Sequence, residues 1–235
     1  MKHFISTVST NFNRNMQKVI FQNLSGNDIL EHTNGITLRN AILVPVSNAV
    51  KKEERIKLTL MLTVKSAGEA FADEKGQNHP DWLVDEDTQL NFNDFIAELN
   101  ELREVIGFRY ELNLLPVPHN ELPETHFELF RNLVRILEPK QTEEAEKLYV
   151  DMTFGMKPMP MILFMVLNYL YRFSNNAMPE ALIYNQYDSV TKEKKLFELS
   201  HLFHMNSAFE NMAHLDIEDP IGFMEGLVSP LEEDE

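Results

Sequence analysis

The residues most suited to chemistry lie in Tyr149 to Met161, YVDMTFGMKPMPM, where Asp151, Thr153, Gly155 and Lys157 occupy alternate positions ahead of Pro158 and Pro160. Each residue type has a reason to be there. Gly155 permits a tight turn and close backbone approach, and a proline in the first helical turn loses no bonded N–H. The free amides and dipole of a helix start favour an anion, and Lys157 adds a full positive charge. Thr153 brings a hydroxyl, while Asp151 can accept from a ribose hydroxyl or hold the turn by bonding its amides. Phe154 and Met156 offer flat or apolar surface to a base, or else pack in the core. Without a ligand the same residues make a structural strand-to-helix turn, and their place at the end of a late parallel strand favours the binding alternative.

A second polar stretch follows the first strand. Ser6, Thr7, Ser9 and Thr10 make its end rich in hydroxyls, and Asn11, Phe12 and Asn13 continue it. Ser9, Thr10, Asn11 and Phe12 are therefore candidate ligand contacts beside Asp151, Thr153, Phe154, Gly155, Met156 and Lys157. Other signals carry less. His201 and His204 stand three apart on a predicted helix, with His214 and Asp216 beyond, but no carboxylate sits at zincin spacing, so they read as surface histidines and no metal is expected. Glu193, Lys194 and Lys195 read as the solvated start of a charged helix. Met156, Met159, Met161 and Met165 read as adaptable packing, suited to a dimer seam.

The elements that must position these residues alternate along the chain. Strands are predicted at Lys2 to Ser9, Arg55 to Val64, Phe108 to Val117 (interrupted at Pro116), Ala145 to Thr153 and Ala181 to Tyr187. A short extended piece at Gln17 to Gln22 is expected to pair with the first strand. Leu38 to Val50 contains a helix or a buried strand, and Ala67 to Asp85, with Gly68, Gly76 and Pro80 among charges, reads as a helix end and loop. Helices are expected from an Asn93 cap to about Val105, closed by Gly107, and from Thr125 to Leu137. Pro160 to Phe173 is apolar almost all round and so is expected to be buried. From Thr191 the pattern turns helical, most clearly over Leu196 to Met212. The alternation predicts an α/β fold, a Rossmann-like, mostly parallel sheet with helices on both faces, plus a C-terminal helical segment. The expected division is 1–190 for the sensing domain and 191–235 for a helical extension and acidic tail.

Composition narrows the function classes. The chain has 235 residues, 43% hydrophobic and 25% charged, enough for one substantial core. With no cysteine, neither a disulfide framework nor a Cys-ligated metal centre is possible. Lys plus Arg number 21 against 37 Asp plus Glu, a formal net charge of −16, which repels extended DNA or RNA but leaves room for a small phosphate ligand in a local cationic pocket. The N-terminus lacks the apolar core of a signal peptide and the longest apolar run is too short for a bilayer, so a cytoplasmic location without membrane contact is expected.

The DxTxGxK turn leading into an apolar helix, together with the hydroxyl-rich end of the first strand, resembles the CRISPR-associated Rossmann fold family, called CARF. The likeness in element order spans about Met1 to Val190, and its specific part is Asp151 to Pro158. The resemblance implies a homodimer whose two-fold axis crosses a shared pocket for cyclic oligoadenylate, a ring of four or six nucleotides that serves as messenger in type III CRISPR antiviral defence. It implies that Ser9, Thr10, Asn11, Thr153, Gly155 and Lys157 line that pocket, that no cofactor is used, and that a fused or coupled effector receives the signal. A ring with its own two-fold axis suits an isologous dimer. The alternative is a stand-alone, metal-independent ring nuclease, for which Lys157, Thr10 and Ser9 are the candidate catalytic residues; neither motif contains a histidine to serve as general base. No Arg has a His five residues later, as a ribonuclease effector of this family would require. A dinucleotide enzyme fits poorly, because the first strand runs into STNFNRN and not into GxGxxG, and a DNA-binding regulator is opposed by the charge.

Overall fold

The structure is a computed structural model and describes residues 1–10, 22–23, 37–138, 145–153, 155, 157–174, 177–187, 194–214, 219 and 221–222. Met1–Ser200 and His201–Glu235 form two compact units. The first contains β1 (Lys2–Thr7), β2 (Gln22–Asn23), α1 (Leu43–Ala49), β3 (Arg55–Val64), β4 (Glu69–Ala72), β5 (Asn78–Val84), α2 (Glu86–Ile106), β6 (Arg109–Pro118), α3 (Pro123–Leu137), β7 (Glu146–Asp151), α4 (Pro158–Phe173), β8 (Ala177–Tyr187) and β9 (Lys194–Glu198). It is an α/β fold of the Rossmann-like kind. Seven strands form one sheet in the order β2-β9-β8-β7-β1-β3-β6, and β4 and β5 form a separate pair. Strands β6, β3, β1, β7 and β8 run parallel, β9 turns back antiparallel to β8, and β2 is parallel to β9.

Both faces of the central strands are covered, which accounts for their nearly continuous apolar sequences. On one face Ile56, Leu58, Leu60 and Leu62 of β3 join Phe4, Val8 and Tyr149 in a core completed by Leu43, Val44 and Val46 of α1 and Phe92, Phe95, Leu99 and Leu102 of α2. The other face is covered by α3 and α4, which pack on each other and on β6 and β8. There the sheet buries a polar cluster. His3 bonds Glu146 through Nδ1 (3.0 Å) and Thr59 through Nε2 (2.8 Å), and the Lys57 ammonium donates to the second Glu146 oxygen at 2.6 Å.

Several elements differ from the sequence expectation, each for a local reason. Ala67 to Asp85 is not a helix end and loop but the β4–β5 hairpin. Its turn is closed by Asp73, whose Oδ1 accepts from the amides of Lys75 and Gln77, and Phe71 is driven into the core. Helix α2 starts well before Asn93, because the Asp85 carboxylate accepts from the Thr88 amide at 2.7 Å and Glu86 and Asp87 fill the first turn. Gly107 ends it in the left-handed region as expected. Pro116 does not interrupt β6, which continues to Pro118. The strand borders the sheet, where a missing N–H is tolerated outside the ladder.

Of the piece at Gln17 to Gln22, residues 17–21 lie outside the described residues; Gln22, with Asn23, pairs with β9 and not with β1, whose neighbours are β3 and β7. The region after Thr191 is not helical from its start, since Lys194–Glu198 is a strand of the sheet. Helix α4 is not buried all round. Met159, Ile162, Leu163, Val166, Leu167 and Leu170 face inward, but Met161 is 70% and Met165 58% exposed, and Tyr171 and Phe173 are exposed as well. In the second unit, α5 (Ser200–His214) is the C-terminal helical segment. No helix of the described residues is long and apolar enough to cross a membrane.

Candidate functional site

Among the parallel strands of the sheet, β3 and β6 lie on one side of β1, and the later β7 and β8 lie on the other. The strand order thus reverses between the parallel neighbours β1 and β7, whose carboxyl ends point the same way, and it is outside such a switch point that open α/β sheets bind ligands. The turn after β7 lies at this switch point.

Asp151, the last residue of β7, is fully buried. Its Oδ1 accepts from the Thr153 amide at 2.9 Å and its Oδ2 from the Ser6 hydroxyl at 3.0 Å, which stitches β7 to β1. Burial pushes its carboxyl up, against the hydrogen bonds from Thr153 and Ser6 that pull it down. Thr153 is half-buried and its hydroxyl accepts from the Asn185 amide at 2.8 Å, tying the turn to β8. Of the two roles open to Asp151, the structure shows the one that holds the turn. Asp151 and Thr153 are positioning residues that fix the ends of three strands.

Among the described residues of the turn, Gly155 and Lys157 are exposed. Gly155 has φ +116°, and a Cβ built on it would stand 2.3 Å from the Met159 sulfur, so no side chain fits without moving the helix start. Lys157 is the N-cap of α4, and its ammonium has no hydrogen bond or ion pair among the described residues. Pro158 and Pro160 carry no N–H. They remove two of the four amide donors that a helix start leaves free, so more of the positive field at this entrance rests on Lys157.

A cleft of about 470 Å³ opens beside this turn, lined by Thr10, Thr63, His119, Asn120, Glu121, Gly155 and Lys157. Its size lies within the range of about 300–1,000 Å³ usual for small-molecule sites. Thr10 comes from the loop after β1, Thr63 from the end of β3, and His119 to Glu121 from the loop between β6 and α3. Thr63 is completely buried, and its hydroxyl is without a partner among the described residues. The β6–α3 loop is pinned at both ends. The His119 amide donates to the Val64 carbonyl at 2.7 Å, and Asn120 Oδ1 accepts from the Leu122 amide at 3.3 Å and the Thr125 hydroxyl at 2.5 Å.

No family model matches this chain, and no curated protein matches it. What the cleft can hold therefore rests on its own chemistry: a cation, an imidazole, two hydroxyls and a carboxamide around a space of nucleotide dimensions, with the Glu121 carboxylate at the rim.

Of the residues predicted from sequence, the fold brings Thr10, Gly155 and Lys157 together in the cleft. Ser9 does not line it; its carbonyl accepts from the Asn91 side-chain amide at 2.8 Å. Asn11, Phe12, Phe154 and Met156 lie outside the described residues. Thr63, His119, Asn120 and Glu121 are absent from the sequence-based set. The signal for the last three is the polar run directly after the β6 strand, since polar strand ends are where such a fold places its ligands. Thr63 gives no signal, because a threonine suits the interior of any strand.

Elsewhere, Lys194 is not on a solvated helix start. It is buried on β9, its ammonium donates to the Arg39 carbonyl at 2.7 Å, and burial lowers its pKa to about 8. Glu193 lies outside the described residues. His201 and His204 are exposed on α5, while the His214 side chain and Asp216 lie outside the described residues. Among the described residues, no cluster of three or more His, Asp or Glu side chains could hold a metal.

Proposed function

We propose that this cleft binds a small anionic nucleotide, cyclic oligoadenylate, and that two copies of the chain share one ring across a two-fold axis, as in the CARF sensors of type III CRISPR defence. The observation that carries this reading is the Lys157 ammonium, which has no hydrogen bond or ion pair among the described residues and lines a cleft of about 470 Å³ together with Thr10, His119 and Asn120. Lys157 supplies charge for a phosphate in a protein whose net charge of −16 would otherwise repel it.

The shared ring is supported by the exposed Met161 and Met165, apolar side chains on the helix that starts at Lys157. Ring binding would then alter the dimer and pass the change to a fused or coupled effector.

The test is a titration of the protein with cyclic tri-, tetra- and hexa-adenylate. Tight binding of one ring is expected, with Lys157→Ala weakening it by about tenfold or more, in line with loss of a charge-assisted phosphate contact. If no ring binds at any size, the reading fails.

A further inference from the structure

We propose that the outer edge of β6 is a docking site for an extended, lysine- or arginine-rich segment of a partner protein, which adds to the sheet as a further strand. Strand β6 ends the sheet and has β3 as its one neighbour among the described residues. The Arg109 amide donates to the Glu54 carbonyl at 2.8 Å and the His119 amide to the Val64 carbonyl at 2.7 Å, and the pairing between them runs without a register shift. Successive residues of a strand turn their N–H and C=O groups to opposite sides. The odd-numbered residues from Arg109 to His119 therefore face β3, and Tyr110, Leu112 and Leu114 turn their amides and carbonyls away from the sheet. The next outward positions are Pro116 and Pro118, so the part of the edge that can donate is confined to Tyr110–Leu114. Such a row of backbone groups is a template for an incoming strand.

A trough of about 520 Å³ opens on this edge. Glu111–Leu114 line it together with Asp73, Glu74, His79 and Trp82 of the β4–β5 hairpin, and no residue is shared with the Lys157 cleft. Trp82 is half-buried and stacks on His79, with ring centroids 4.5 Å apart and 13° between the planes. This pair offers flat aromatic surface to the stem of a long cationic side chain. Charge selects the occupant. The carboxylates of Asp73, Glu74 and Glu111 line the trough, against the ammonium groups of Lys57 and Lys75. Lys57 donates to Glu146 at 2.6 Å, and the Lys75 side chain is 80% exposed. The balance is negative in a chain whose net charge is −16, so a cationic strand is attracted and an acidic one repelled. The backbone bonds supply affinity, and the carboxylates with Trp82 choose the side chains.

The experiment titrates the full chain with a capped seven-residue peptide of alternating lysine and valine, and reads two signals. Trp82 is the one tryptophan of the chain, so its emission reports on the trough, while amide hydrogen exchange reports on the edge. Binding is expected to move Trp82 emission to shorter wavelength and to slow exchange at Tyr110, Leu112 and Leu114. The same peptide with every backbone amide methylated is expected to bind at least about tenfold more weakly, having lost its ladder donors. A glutamate–valine peptide should not bind. Leu112→Pro removes the central outward amide, at a phase where the strand already carries two prolines, and should weaken binding by about tenfold with the far-ultraviolet circular dichroism unchanged. Where that variant fails to fold, the methylated peptide on wild type decides the question. Unchanged Trp82 emission, no protection of the three amides, or equal binding of the methylated or acidic peptide overturns the proposal. So does a wild-type dimer that Leu112→Pro splits in light scattering, which would put a second copy on this edge.

Discussion

Gly155 holds φ +116° with the Met159 side chain packed against the position a Cβ would take. Gly155→Ala combines backbone strain with overpacking, and each is of order 1–3 kcal/mol. A lower urea midpoint and loss of ring binding are expected together, because the turn that carries Lys157 cannot keep its shape. Asp151 allows a subtler test. Its carboxyl is raised above the ordinary 3.8 by burial, so the stability it contributes is present below that value and is lost as pH climbs through the raised one. Asp151→Asn keeps an acceptor for the Thr153 amide and stays neutral, so its urea midpoint should decline less than that of wild type from pH 4 to 7. Asp151→Ala removes the acceptor for both Thr153 and Ser6, and should destabilise by about 1–3 kcal/mol at neutral pH.

At the scale of elements, the strands buried on both faces are the legible part. Arg55 to Val64 is predicted with its observed bounds because alternation followed by a continuous apolar run fits a buried strand and little else. The hairpin and β9 are hidden by their charges. Short strands at the margin of a fold carry Lys, Glu and Gly, and locally these look like loops and helix starts. Lys194 shows how the register overrides that appearance. Burial lowers its ammonium from 10.5 to about 8, so between those values the unfolded chain holds more proton and stability should rise with pH. The Tyr149 phenol, raised by burial, opposes this above its ordinary 10.0, so the comparison is read below pH 10. Thermal melts from pH 8 upward should show a rise in wild type that is flatter in Lys194→Met.

At the scale of the whole molecule, the turn after β7 is legible because its residues are contiguous. The polar run after β6 signals His119 to Glu121 more weakly, and Thr63 not at all, because which strand ends lie side by side is set by the parallel register of β3 and β6, which no local pattern encodes. Helix α4 shows the converse. Its sequence is apolar on nearly every side and so predicts burial within one chain, but the sheet covers just one stripe. Met161 and Met165 on the other stripe are the place to test self-association. On the proposed dimer, wild type should scatter light as two copies and the double Glu replacement as one, with the far-ultraviolet circular dichroism unchanged and ring binding weakened.

The border strand β6 carries Pro116 and Pro118 near its end. A proline offers no proton to an incoming strand, so a neighbouring chain cannot extend the ladder along this stretch. Runaway stacking of sheet upon sheet edge is thereby discouraged on the flank nearest the cleft. Any association between copies of the molecule is left to side chains and helices, a mode that does not propagate as a ladder does.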